Sequence, residues 1–204
     1  MKKVIYSLGI CFLSISLNAQ NLADYGWENG GSLPELSAGS QIFGPVGTYE
    51  NFSGSENGLS PFEGSSMLKF TDTGASGTST LVVAFITGLN EGETVTVSFQ
   101  GNAPATAGNG IRQWASWRNA DGSYSGSGSS AVTSGDLSKY VGLSGWESTD
   151  QITYTVPAGQ TVLGIEARGY QSSSDVTPVP FYIDALSISA PTTATIVTAV
   201  PEPS

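Results

Sequence analysis

Phe181-Tyr182-Ile183-Asp184-Ala185-Leu186-Ser187-Ile188-Ser189 is the stretch on which the fold turns. Aromatic, β-branched and apolar residues fill it, and its length suits a strand rather than a helix. A single carboxylate, Asp184, stands among these neighbours. In a buried strand a bare carboxylate is costly, so Asp184 requires either a hydrogen-bond network or a cation.

The rest of the chain repeats this strand character. Residues 94–100 alternate, with Val95, Val97 and Phe99 on one face and Thr94, Thr96, Ser98 and Gln100 on the other. That pattern predicts a strand with one buried and one polar face. Residues 111–118 alternate too, with Ile111, Gln113, Ala115 and Trp117 opposed to Arg112, Trp114, Ser116 and Arg118. Residues 161–170 place Leu163, Ile165 and Ala167 on one side and Glu166, Arg168 and Tyr170 on the other. The run Leu81-Val82-Val83-Ala84-Phe85-Ile86 is apolar on both faces and is expected to be central. Further strands are read at 22–28, 64–71 and 151–156, with a short one at 140–143 and a weak, glycine-broken edge at 41–49. No stretch holds a period of 3.6 for three turns. The expectation is an all-β jelly-roll β-sandwich of two antiparallel sheets.

Composition narrows the function. The chain begins Met1-Lys2-Lys3, runs apolar from Val4 to Leu17 and reaches Ala19, the form of a secretory signal peptide over residues 1–19. The apolar run is short of the ~20 residues of a membrane span. The sole cysteine, Cys11, lies in this segment, so the remainder has no thiol for a disulfide and relies on its core. Residues 20–190 are read as one β-sandwich domain and 191–204 as a Thr/Ala/Pro-rich linker. Beyond the signal, Lys69, Arg112, Arg118, Lys139 and Arg168 face 17 acidic residues, so nucleic acid is excluded as a partner. The chain has no histidine, which removes Ser-His-Asp and Cys-His catalysis and histidine-held metals.

Several phrases, in order along residues 27–189, resemble the carbohydrate-binding modules of the galactose-binding-like (jelly-roll) superfamily appended to xylanases and glucanases. They are Trp27-Glu28, Gly64-Ser65-Ser66-Met67-Leu68-Lys69-Phe70, the hairpin from Gly88 to Phe99, and Trp117-Arg118-Asn119-Ala120-Asp121-Gly122. Trp146 to Gly159 and the closing Phe181-Tyr182-Ile183-Asp184-Ala185-Leu186 complete the set. Ala185 stands where such modules carry a second aspartate. The resemblance implies a structural calcium held by acids at the sheet ends, here Glu28 and Asp184 with Glu63 as a third contributor. The alternative is an Asp184 that only accepts backbone N–H bonds. At the far end, Val200-Pro201-Glu202-Pro203-Ser204 resembles the start of a bacterial PEP-CTERM sorting signal, whose apolar helix and basic tail are expected past Ser204. That resemblance implies processing by exosortase-type sorting machinery.

The polar faces supply the candidate ligand site. Sugars are held by rings stacked on C–H faces and by planar polar groups reading hydroxyls. Trp114 and Tyr170 provide rings; Gln100, Arg112, Glu166 and Arg168 provide hydrogen bonds, all expected to line one concave sheet. Trp114 equally suits plain packing under the Ser/Gly-rich stretch at 123–134, and Arg112, Arg168 and Glu166 equally suit an ion-pair ladder across strands. Glycosidase chemistry needs a second carboxylate at defined spacing from Glu166, and none can be named, so no catalytic residue is assigned. The expected protein is an exported, non-catalytic, monomeric binder of polysaccharide or glycan at the cell surface or in extracellular matrix. The alternatives are a structural matrix sandwich with no sugar site and a small polysaccharide-active enzyme.

Overall fold

The computed structural model describes residues 20–28, 30–31, 33–34, 36, 42–56, 58–73, 78–104, 108–124, 130–131, 139–171 and 178–199. Residues 1–19, read above as a signal peptide, and Val200–Ser204, read above as resembling a sorting motif, lie outside the described residues, as does most of the Ser/Gly-rich stretch. The described residues form strands and no helix: β1 (Gln20–Tyr25), β2 (Ile42–Phe43), β3 (Val46–Ser53), β4 (Ser66–Asp72), β5 (Ser79–Thr87) and β6 (Thr94–Asn102). They continue with β7 (Gly110–Arg118), β8 (Glu147–Ser148), β9 (Ile152–Thr155), β10 (Val162–Tyr170), β11 (Val179–Pro191) and β12 (Thr195–Val197).

Two antiparallel sheets pack face to face as a jelly-roll sandwich. The first holds β3-β4-β11-β6-β8, with β1 also on β11 and β9 also on β6; the second holds β12-β5-β10-β7, with β2 also on β5. From β4 onward the chain changes sheet at each step, apart from the β8–β9 pair that share an edge of β6. The inward faces make one core from Trp27, Leu68, Phe70, Phe99, Ile111, Trp117, Leu163, Phe181, Ile183 and their neighbours. Each large side chain fully buried there contributes about 1.5–3 kcal/mol.

β11 is the axis of the first sheet. Residues from Val179 to Ile183 pair with β4, residues from Leu186 to Pro191 pair with β1, and β6 runs along the opposite edge. β4 and β1 therefore share one edge of β11 and part at Asp184-Ala185. There the ladder to β6 skips a residue, Asp184 pairing with Gln100 and Ser187 with Ser98. Ala185 is the extra residue and takes a φ of 47°. The bulge restores Leu186 and Ile188 to the core while leaving Asp184 and Ser187 on the outer face.

Two expectations are corrected. β1 ends at Tyr25, and Trp27 turns out of the strand with a φ of 59°. The segment from 191, read as linker, stays in the sandwich: β11 extends to Pro191, and β12 pairs residues 195–197 with Thr87, Ile86 and Phe85. The central β5 owes its two apolar faces partly to a bulge. Its pairing with β10 skips Val83, so Val82 and Phe85 face outward under Phe43, Leu36 and Val197.

Candidate functional site

Arg112, Trp114, Glu166, Arg168 and Tyr170 come together on the outer face of the second sheet, on the adjacent strands β7 and β10. Glu166 lies opposite Trp114 and Arg168 opposite Arg112. Gln100 does not join them. It sits on β6, in the other sheet, opposite Asp184. Alternation shows that a residue faces outward; it does not show from which sheet.

Glu166 is fully buried, against the expectation of a hydroxyl-reading carboxylate. One oxygen, Oε1, accepts from Ser116 Oγ, from Arg118 Nη2 at 3.0 Å and from the Tyr124 hydroxyl at 3.2 Å. The other, Oε2, accepts from Arg168 Nε at 3.0 Å and Nη2 at 2.7 Å. Arg118 is equally buried, and its guanidinium lies 3.7 Å from the Tyr124 ring centre and 5.1 Å from that of Phe43. Gly164 makes room for it: a Cβ there would stand 3.0 Å from Arg118 Nε. Burial and the neighbouring Glu166 charge push the Tyr124 hydroxyl above its ordinary pKa. Glu166 is thus the floor of the site. It neutralises Arg118 and aims Arg168.

The groups that reach the surface are arginines and rings. Arg168 lies 4.1 Å from the centre of the half-buried Trp114 ring, and Arg112 lies 4.8 Å from that of the exposed Tyr140. Tyr140 meets Tyr170 edge to face at 5.1 Å. Burial also raises the Tyr170 hydroxyl pKa. Sequence reasoning assigned no role to Tyr140 or Tyr124. Both lie outside regular strands, where no periodicity marks a facing side.

The acidic residues singled out for calcium divide differently. Glu28 is filled: its two oxygens each accept from the Ser65 N–H at 2.9 Å, with further bonds from Ser65 Oγ and the Ser66 N–H. Those backbone bonds to Ser66 and Ser65 hold its carboxyl below the usual range. Gly64, at a φ of 59°, lets the turn close on it, since a Cβ would meet the Glu28 carboxyl at 2.3 Å. Asp184 is buried and accepts from the N–H groups of Phe62, Glu63 and Ala185. Burial, with the Glu63 charge as a smaller contribution, pushes its carboxyl up to about 6. Glu63 and Asp184 converge on Gly26, whose Cβ would stand 2.9 Å from Glu63 Oε1 and 3.4 Å from Asp184 Oδ1. Two carboxylate oxygens facing one gap suit a hard cation; Glu28 lies outside that pair. Among the described residues no group of three or more acidic, histidine or cysteine side chains gathers as a metal cluster.

No protein-family model matches the chain, and no curated protein matches it. Solved structures do. The CBM22-2 xylan-binding domain of Xyn10C from Paenibacillus barcinonensis is 18% identical at a TM-score of 0.49, over 82% of this chain and 98% of that one. The CBM22-1-GH10 modules of Xyn10B from Clostridium thermocellum, complexed with xylohexaose, are 12% identical at a TM-score of 0.46, over 82% of this chain and 29% of that one. A structure described as bearing on the promiscuous specificity of carbohydrate-binding modules from the β-sandwich superfamily is 16% identical at a TM-score of 0.43, over 86% of this chain and 58% of that one.

Proposed function

We propose that the protein binds polysaccharide without cleaving it, through the outer face of the second sheet. One observation carries the reading: Arg168 is stacked on the half-buried Trp114 beside Arg112, Tyr140 and Tyr170, and is held there by a carboxylate that is itself sealed from solvent. A rigid row of planar cations and rings suits a sugar chain lying along the strands, with ring faces on C–H groups and guanidinium N–H groups on hydroxyls. The commitment of both Glu166 oxygens to five donors favours binding over hydrolysis. The resemblance of the sequence phrases to jelly-roll carbohydrate-binding modules supports the same reading. The amino-terminal signal pattern supports export to the cell surface or matrix, and the terminal motif supports handling by exosortase-type machinery.

The test is a titration with soluble xylan, β-glucan, galactan and mannan, read by tryptophan emission. A saturable response to one of them, lost in Trp114→Ala and in Arg168→Ala, is the expected result. If no glycan produces a response, or the response survives Trp114→Ala, the site reading is overturned. The rival, a structural matrix sandwich with no sugar site, is favoured by how completely Glu166 and Arg118 satisfy each other.

Calcium belongs to the same proposal. Asp184 and Glu63 would hold it between β1 and the β3–β4 loop, where it would replace charge repulsion by attraction and lock the edge of β11. Excess chelator is expected to lower the melting temperature of the purified protein. Superimposable melting curves with chelator and with added calcium would remove the metal from the proposal.

A further inference from the structure

We propose a second binding site, on the outer face of the first sheet, that takes a single neutral sugar ring such as the terminal unit of a glycan. It lies on the opposite side of the sandwich from Trp114 and does not depend on that site. Four polar side chains stand in one row across four strands: Glu50 opposite Lys69, Lys69 opposite Tyr182, and Tyr182 opposite Asn102. The β3–β4 loop folds back over this row. Reciprocal backbone bonds of 2.9 and 2.8 Å between Glu56 and Leu59 stiffen it. Glu56 accepts from Lys69 Nζ at 2.8 Å and from the Tyr182 hydroxyl at 2.9 Å. Beside that junction lies a cavity of about 120 Å³ lined by Glu56, Leu59, Asn102, Pro104, Pro180 and Tyr182.

Chemistry selects the occupant. Asn102 is only 9% exposed, lines the cavity, and among the described residues its carboxamide makes no hydrogen bond. An amide so placed offers one acceptor and two donors, which match a pair of neighbouring hydroxyls. Glu56 is already neutralised by Lys69, whose bond holds its carboxyl below the usual range. The second carboxylate that Lys69 meets, Glu50 at 3.6 Å, is not part of the cavity lining, so the cavity itself presents an acceptor whose charge is compensated, which suits hydroxyl donors better than an ionic ligand. Leu59, Pro104, Pro180 and the Tyr182 ring form apolar walls for a C–H face. A cavity of about 120 Å³ is on the scale of one ring and excludes a chain threaded through.

The experiment is a titration of the full chain, labelled with nitrogen-15, with D-xylose, D-glucose and D-galactose in turn. The side-chain amide of Asn102 and the backbone amides of Leu59 and Tyr182 are followed. Saturable shifts with at least one sugar are expected at these groups. They should persist in Trp114→Ala, weaken roughly tenfold in Asn102→Ala, and vanish in Leu59→Trp, whose larger side chain takes up cavity volume. No shift with any of the three sugars overturns the site, as does a response unchanged in both pocket variants. Retention of the polysaccharide response in Asn102→Ala separates failure here from failure of the Trp114 site.

Discussion

Asp184 and Glu63 bring two carboxylates together where the backbone is already strained. Trp27 and Ala185, the two described non-glycine residues at positive φ, stand beside them, and such conformations persist only where surrounding contacts enforce them. Asn51 helps, donating to the Trp27 and Gly31 carbonyls. The raised Asp184 pKa sets the sign of a pH effect. Above about pH 6 the group is ionised in both states, and folding carries the full burial penalty. Between about pH 6 and pH 4 the folded state takes up its proton first, so stability rises as pH falls. Thermal unfolding in chelator should therefore show a melting temperature that climbs from pH 7 towards pH 5. It should drop only at lower pH, where Glu28, Glu56 and Glu147, all held below the usual range by hydrogen bonds, lose their stabilising charge. A profile flat from pH 7 to pH 5 would contradict this account of Asp184.

Between β7 and β10 the important unit is a pair of strands rather than any one residue. Arg118 pairs with Val162 and Glu166 with Trp114, four positions apart along the ladder, and the two side chains meet because Gly164 leaves the space between them open. Both are withdrawn from water, so the pair adds little net stability while intact and much instability when halved. Glu166→Gln should lower stability by about 3–5 kcal/mol, measured by urea unfolding. The double variant Glu166→Gln with Arg118→Met should recover a large part of that loss, because no fully buried charge is then stranded and Arg168 keeps partial access to water. The same change frees Arg168 from Glu166, so glycan affinity should fall even where the fold survives.

The sandwich as a whole is closed by its last described strand. β12 caps an edge of β5, Val197 packs on the outward Val82 and Phe85, and the Tyr25 hydroxyl donates to the Ala199 carbonyl at 3.1 Å. Burial pushes that hydroxyl up to about 12. Deleting residues 192–204 should therefore lower the melting temperature by roughly 5–10 °C, through loss of the β12 pairing and of the partly buried Ile196 and Val197 contacts. A removable linker would leave the melting curve unchanged, and calorimetry of the two chains distinguishes the outcomes.

Alternation along residues 94–100, 111–118 and 161–170 was enough to specify strands, their inward side chains and the all-β class, because a period of two is a local property of the chain. The same local period put Arg112 with Trp114 on one face of their strand, and Glu166 with Arg168 and Tyr170 on one face of theirs. Tertiary structure alone decided which sheet each outward side chain belongs to. β6 and β7 are consecutive yet lie in opposite sheets, which parts Gln100 from the others. It also decided that Glu166 is sealed beneath Tyr124, and that the closing strand bends at Ala185 to set Asp184 beside Glu63. Burial and charge pairing arise between segments far apart in sequence, and no local pattern of residue types records them.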